Sequence, residues 1–206
     1  RECHDIGVFC YDRANGFVAL CSSNLPKPAF VPSEHFNTVL YTGNASTNAI
    51  TVGFEPSLVW TKNREDTYFH TLYDAVRGTG NTKAIHPNDT AAEGTHSTHN
   101  NLVSFDTNGF TLGATSSTSV QNYNNHIYVA WNWKATGSGS TDNSCDNNAT
   151  VSANTDAKCS IVKFTGTGGE PKTIAHGLGV SPEMVIIKRT SGVGSWIVWH
   201  KDMADN

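Results

Sequence analysis

Apolar and polar residues alternate with a period of two along much of this chain, and they cluster in two stretches that resemble one another. Between Phe36 and Tyr73, Val39-Leu40-Tyr41 leads into Thr42-Gly43, a polar loop follows, and Gly53-Phe54-Glu55-Pro56 precedes Leu58-Val59-Trp60 and Lys62. Between Ser160 and Trp199, Ile161-Val162-Lys163-Phe164 leads into Thr165-Gly166, and Gly179-Val180-Ser181-Pro182 precedes Met184-Val185-Ile186-Ile187 and Lys188. The Gly-to-Pro and Pro-to-Lys spacings agree, and the loop after Thr-Gly is three residues longer in the second copy, an insertion that costs little in a surface loop. Runs of β-branched and aromatic residues closed by Gly and resumed after Pro predict strand, turn, strand. The pattern therefore predicts one duplicated unit, at residues 36–73 and 160–199.

Other segments follow the same period. Ile6 to Leu20 predicts strands around a turn at Ala14-Asn15-Gly16, and Pro26, Pro28 and Pro32 stiffen the connector that follows. Residues 1–32 thus separate from a body at 33–206. Leu102 to Leu112 contains Asn108-Gly109, the strongest local hairpin signal. In His126 to Lys134 the residues Ile127, Val129, Trp131 and Trp133 share one face, and their burial on area grounds could contribute roughly 6 to 10 kcal/mol before entropy is subtracted. This segment is the expected central strand, with Trp60, Trp131 and Trp133 in the core. Residues 79–100 and 135–150 carry no apolar period and are expected to be long polar loops open to neighbours. No window of helical length sustains the spacing of three and four. The fold class expected is all-β: a β-sandwich-like domain with an internal duplicated strand–turn–strand unit and long polar loops.

Composition narrows the function. The 14 basic and 18 acidic residues show no basic cluster, which argues against nucleic acid as a partner. No apolar run approaches the roughly 18 residues of a membrane span. The surface is made polar by 20 Asn, 18 Ser and 24 Thr, a composition that suits turns and sheet faces in extracellular or virion-surface proteins. Five cysteines, Cys3, Cys10, Cys21, Cys145 and Cys159, leave at least one thiol without a partner in the chain. Cys3 with Cys10 or Cys21, and Cys145 with Cys159, are candidate disulfides, weighed evenly against buried thiols.

His96 and His99 are the nearest approach to a metal pair, but a tetrahedral site needs three or four ligands and no neighbouring Cys pair supplies them. His70 and Asp74, and Ser104, Asp106 and His126, lack the motifs that organise a hydrolase. No catalytic residue and no cofactor is expected. Among the aromatics, core packing is the default; Tyr123 and Trp199 are the expected exceptions, available to stack on a sugar. Lys62 and Lys188, at matching positions, are expected to be charges at strand ends or sheet edges.

Taken in order, HFNTVLYTGN, VGFEPSLVWTKNR, HTLYDAVRG, SFDTNGFTLG, YVAWNWKA and TIAHGLGVSPEMVIIKR resemble a β-rich domain of unknown function that recurs in predicted tail-fibre and other virion structural proteins of aquatic bacteriophages. The segment YDRANGFVALCSSNLPKP resembles the piece that joins an upstream lectin-like sandwich to that domain. One departure is Ser57, where the pattern has Asp after the first Pro. The resemblance implies a non-enzymatic component on the virion surface, assembled with copies of itself or with other particle proteins. Two alternatives remain open: a carbohydrate-binding adhesin module that recognises host surface glycans, and a subunit of a cell-surface or extracellular filament.

Overall fold

A computed structural model of the chain describes residues 30–96, 102–114 and 121–203. The predicted N-terminal strands, with Cys3, Cys10 and Cys21, lie outside these residues, as does His99. The chain divides into two compact units, Arg1–Val31 and Pro32–Asn206. The second is all-β, and its described residues hold twelve strands and no α-helix. No helix among them is long and apolar enough to cross a membrane.

Four strands form the first sheet, in the order β1 (Phe36–Thr42), β7 (Ile127–Trp133), β3 (Leu58–Asn63), β4 (Thr71–Asp74). All its pairs are antiparallel. A second sheet runs β2 (Asn48–Thr51), β6 (Gly109–Leu112), β5 (Leu102–Asp106). The two pack face to face as a β-sandwich, and side chains from both fill the core: Tyr41, Val59, Tyr73, Tyr128 and Ala130 from the first, Ile50, Leu102, Phe110 and Leu112 from the second. Tyr41 stacks on Tyr128 with ring centroids 5.0 Å apart. Two of the phenols in this apolar interior have a polar neighbour: Tyr41 donates to the Gln121 carbonyl oxygen, and Tyr128 accepts the Tyr123 N–H. Burial raises both phenol pKa values above the ordinary one.

The predicted hairpin at Asn108-Gly109 exists, but its turn is Thr107-Asn108, because Gly109 already pairs with Asp106. Gly109 has a packing role instead. It lies against β2 so closely that a Cβ there would run into the Ile50 carbonyl oxygen.

The remaining strands are β8 (Ser140–Asp142), β9 (Ala149–Asn154), β10 (Cys159–Phe164), β11 (Met184–Ile187) and β12 (Ile197–His200). They form a three-stranded sheet β10-β9-β8 and a two-stranded ribbon β11-β12. A small core of Ala149, Val151 and Ala175 lies under β9. The tract at 135–150, expected to be a loop, therefore contains β8 and the start of β9. Thr and Ser are competent strand residues, and Gly139, at φ 73°, sits against the Val151 carbonyl where a Cβ would not fit.

The duplication is visible in the register. Between β3 and β4, Leu58 faces Asp74, Val59 faces Tyr73, Trp60 faces Leu72 and Thr61 faces Thr71. Between β11 and β12, Met184 faces His200, Val185 faces Trp199, Ile186 faces Val198 and Ile187 faces Ile197. A single shift of 126 residues (58 to 184, 74 to 200) maps one hairpin onto the other. The glycine before each Pro, Gly53 and Gly179, has positive φ in both copies, at 104° and 69°. Lys62 and Lys188 also match in role, and both lie at strand ends as expected, Lys62 beside the last residue of β3 and Lys188 directly after β11. Lys62 Nζ donates to the Asn63 and Asp66 carbonyls, and Lys188 Nζ to those of Thr90 and Gly194. Each ammonium ties down the loop after its strand, and partial burial lowers both pKa values.

Cys145 and Cys159 are both free thiols. Cys159 begins β10 and pairs with Asn154 at the far end of β9, whereas Cys145 lies before Ala149 at the near end. A six-residue strand spans about 17 Å, far beyond the roughly 7 Å limit for bridged Cα atoms. Burial also raises the Cys159 pKa, which leaves less thiolate to react. Peptide mapping without reductant is expected to find no 145–159 bridge.

Candidate functional site

The largest departure from the sequence reading concerns β7. Tyr128, Ala130 and Asn132 point into the sandwich and are fully buried, while Ile127, Val129, Trp131 and Trp133 lie on the outer face of the first sheet. Trp60, on β3, is on the outer face as well, half-buried. The expectation that Trp60, Trp131 and Trp133 lie in the core is therefore corrected: none of the three is there. The physical reason lies in what opposes them. The second sheet already brings Phe110, Leu112 and Leu102 to the interior, and the central strand has room there for Ala130 and for Tyr128 stacked on Tyr41. Asn132 is tolerated inside because its side-chain N–H groups donate to the Asn37 and Ala130 carbonyls.

The register assembles the outward residues into one surface. Phe36, Trp133 and Leu58 form one row across the sheet, and Thr38, Trp131, Trp60 and Leu72 form the next. Leu40, Val129 and Lys62 follow, then Thr42 and Ile127. Trp60, Trp131 and Trp133 line an open groove of about 210 Å³. Trp60 and Trp131 meet edge to face at 5.8 Å, and Phe36 tilts against Trp133 at 4.9 Å. Leu40, 63% exposed, extends the apolar surface along β1.

His70 closes one side. Its Nδ1 accepts the Trp60 indole N–H at 3.0 Å, and its ring lies nearly parallel to Trp131. Burial, and secondarily the Lys62 charge, hold its pKa below the ordinary imidazole value, so the neutral ring that can accept is the native form. The unfolded chain therefore binds this proton more readily than the folded one. Stability attributable to His70 is complete above about pH 6.5 and is lost as pH falls through the lowered folded value. An NMR titration should place the His70 midpoint below that of a free imidazole; a midpoint at or above it would contradict the contact.

The other candidate residues are dispersed. Ser104 donates to Asp106, which also receives the Thr111 hydroxyl, while His126 Nδ1 lies 3.0 Å from Asp66. These three thus form no acid–base–nucleophile array. His96 Nε2 lies 2.9 Å from Asp89, with its ring stacked on Phe69. No group of three or more His, Cys, Asp or Glu residues among the described ones could hold a metal ion. Tyr123 packs edge-on against His126 at 4.5 Å, and Trp199 is 46% exposed on β12. The two belong to different elements and to neither wall of the groove. Ser57 is buried, and its oxygen accepts the N–H groups of Ala135 and Gly137, fixing the exit from β7.

The tract at 79–100, expected to serve a neighbouring molecule, is instead engaged within the chain over its described part. The Trp196 indole N–H donates to the His86 and Asp89 carbonyls, and the Glu93 N–H to the Thr190 carbonyl. It is the seat on which the tip of the β11-β12 ribbon rests.

In the sequence this outer face is hidden, because Trp reads as core. One signal could have found it: Lys62 shares a strand face with Trp60, and a lysine two residues away marks a solvent side. No curated protein and no solved structure matches the chain. A family model described as a domain of unknown function, DUF7483, matches residues 31–206, the whole of the second unit including the strands that carry the groove, and the chain belongs to that family.

Proposed function

We propose that this chain is a non-enzymatic assembly module of a virion's exterior, in a fibre, tail or capsid-surface position, which packs against copies of itself or other particle proteins through the outer face of its four-stranded sheet. One observation carries the reading: a continuous apolar surface of Phe36, Leu40, Ile127, Trp60, Trp131 and Trp133 on the side of the sheet away from the core. Contiguous apolar surface of this kind marks an interaction site, and aromatic side chains dominate the energetics of such sites. The setting is supported by the ordered resemblance of the motifs to a domain of unknown function that recurs in predicted phage structural proteins.

The test is the oligomeric state of the purified chain by light scattering, beside Trp60→Ser/Trp131→Ser. The wild type is expected to associate. The double variant should remain monomeric with its melting transition largely kept, because neither indole is in the core. A wild-type chain that stays monomeric at high concentration and is absent from particles would overturn the proposal. The indole-lined groove also favours a second reading, stacking on a host glycan. Binding on a glycan array that Trp133→Ala removes, from a chain that stays monomeric, would select it.

A further inference from the structure

In the first copy of the duplicated unit, β3 is paired on both edges: β4 on one side, β7 on the other. In the second copy, β11 pairs with β12 in the same register, and among the described residues nothing pairs with its other edge. The direction of the backbone groups follows from two bonds. The Lys201 N–H donates to the Glu183 carbonyl, so in an antiparallel ladder Val185 and Ile187 turn their N–H groups to β12, and Met184 and Ile186 turn theirs outward. In the first copy the Arg64 N–H donates to Ile127, so Lys62 and Trp60 present theirs to β7. Trp60 plus 126 is Ile186. The groups that hold β7 in one copy are the ones that pair with no strand among the described residues in the other.

Three further observations agree. Positions that face the core in the first copy keep apolar side chains in the second yet are partly or largely exposed: Phe54, Val59 and Tyr73 correspond to Val180, Val185 and Trp199. Gly43, where a Cβ would strike the Tyr123 carbonyl on the approach to β7, corresponds to Gly166 (43 plus 123), where a Cβ would meet nothing. The stretch equivalent to β2 and its exit, from Ile174 to Pro182, borders an open depression of about 580 Å³.

From this we infer that the β11 edge is a strand-acceptor site whose occupant is an extended partner segment with the pattern of Ile127–Trp133: apolar and aromatic residues on one face, small or amide-bearing residues on the other. Backbone hydrogen bonds to Met184 and Ile186 supply the pairing, and the exposed side chains of the ribbon supply the apolar contact. The shift of 126 residues sets the register, with Ile186 opposite the position of Trp131 and Met184 opposite that of Trp133. An open apolar edge of this kind is otherwise a site of unwanted pairing.

The probe is a synthetic peptide of residues 125–134, added to the full chain, with a scrambled peptide as control and hydrogen exchange as the readout. Exchange at Met184 and Ile186 is expected to slow at least tenfold, with no such effect from the scrambled peptide. Ile186→Pro removes the outward donor without touching the ladder to β12, and Met184→Pro does the same two residues back along the strand. Each is expected to weaken binding at least tenfold while leaving exchange in β1, β3 and β7 unchanged. The peptide joined to the C-terminus by a flexible Gly-Ser linker should protect the same amides even where the free peptide self-associates. Absence of protection in both formats would overturn the inference. So would protection on the outer tryptophan face or at β4 instead, and so would a β11 edge that pairs with β11 of a second copy when the peptide is absent.

Discussion

Tyr128→Ala is expected to destabilise the domain by about 3–5 kcal/mol, the range for truncating a buried large aromatic side chain, and Trp131→Ala, three residues along the same strand, by only about 1–2 kcal/mol. Tyr128 is fully buried, stacks on Tyr41 and accepts the Tyr123 N–H, so its loss opens a cavity and leaves a backbone donor without its acceptor. Trp131 gives up an edge-to-face contact with Trp60 and part of a half-exposed surface. Urea denaturation of both variants measures the difference. A Trp131 variant less stable than the Tyr128 variant would mean that the two faces of β7 are assigned the wrong way round, and the assembly surface would fall with them.

The second large effect is expected at Arg77. Its Nε lies 2.6 Å from Asp74 Oδ2, and its Nη1 donates to Glu93 Oε1 at 2.9 Å and to the Lys83 carbonyl. The side chains of Arg77 and Asp74 are only 8% and 7% exposed, so solvent does little to screen their interaction. Arg77→Met leaves Asp74 buried without its counter-ion, which costs about 3–5 kcal/mol for pairs of this kind. Arg77→Met with Asp74→Asn should recover part of that loss, because the amide oxygen of Asn can still accept the Arg77 backbone N–H that Asp74 now accepts. The damage should also spread. Glu93 is held by Arg77 and its N–H holds Thr190, so exchange at the tip of the β11-β12 ribbon should quicken in Arg77→Met alone. A single variant as stable as the wild type would show that the ion pair contributes little.

Both expectations rest on details that differ in how far the chain discloses them. Strands at Val39 to Thr42, Leu58 to Lys62, Leu102 to Leu112 and Met184 to Ile187 follow from β-branched and aromatic runs bounded by Gly and Pro, since such residues suit a pleated, half-buried backbone. By contrast β8 and β9, built of Ser, Thr, Ala, Asn and Asp with one Val, lack that signature. They are strands because neighbours pair with them. The candidate disulfide failed for a related reason: the thirteen residues between Cys145 and Cys159 look like a loop that a bridge could close, yet β9 runs straight through them.

The sequence by itself determined the class of fold and the duplication, because side-chain alternation, turn residues and Pro spacing are local properties that a strand expresses wherever it lies. The shared register of the two hairpins, shifted by 126 residues, follows from that local likeness. Only the tertiary structure decided which face of each strand is inside. Alternation marks two faces without saying which one a second sheet will cover, and for β7 the volume and hydrogen-bond partners offered by the opposing strands admitted Tyr128, Ala130 and Asn132 and left the indoles outside. The same holds for edges. Trp60 and Ile186 occupy the same place in two copies of one motif, and whether a strand lies alongside depends on a segment remote in sequence, β7 in one case, which no local pattern encodes.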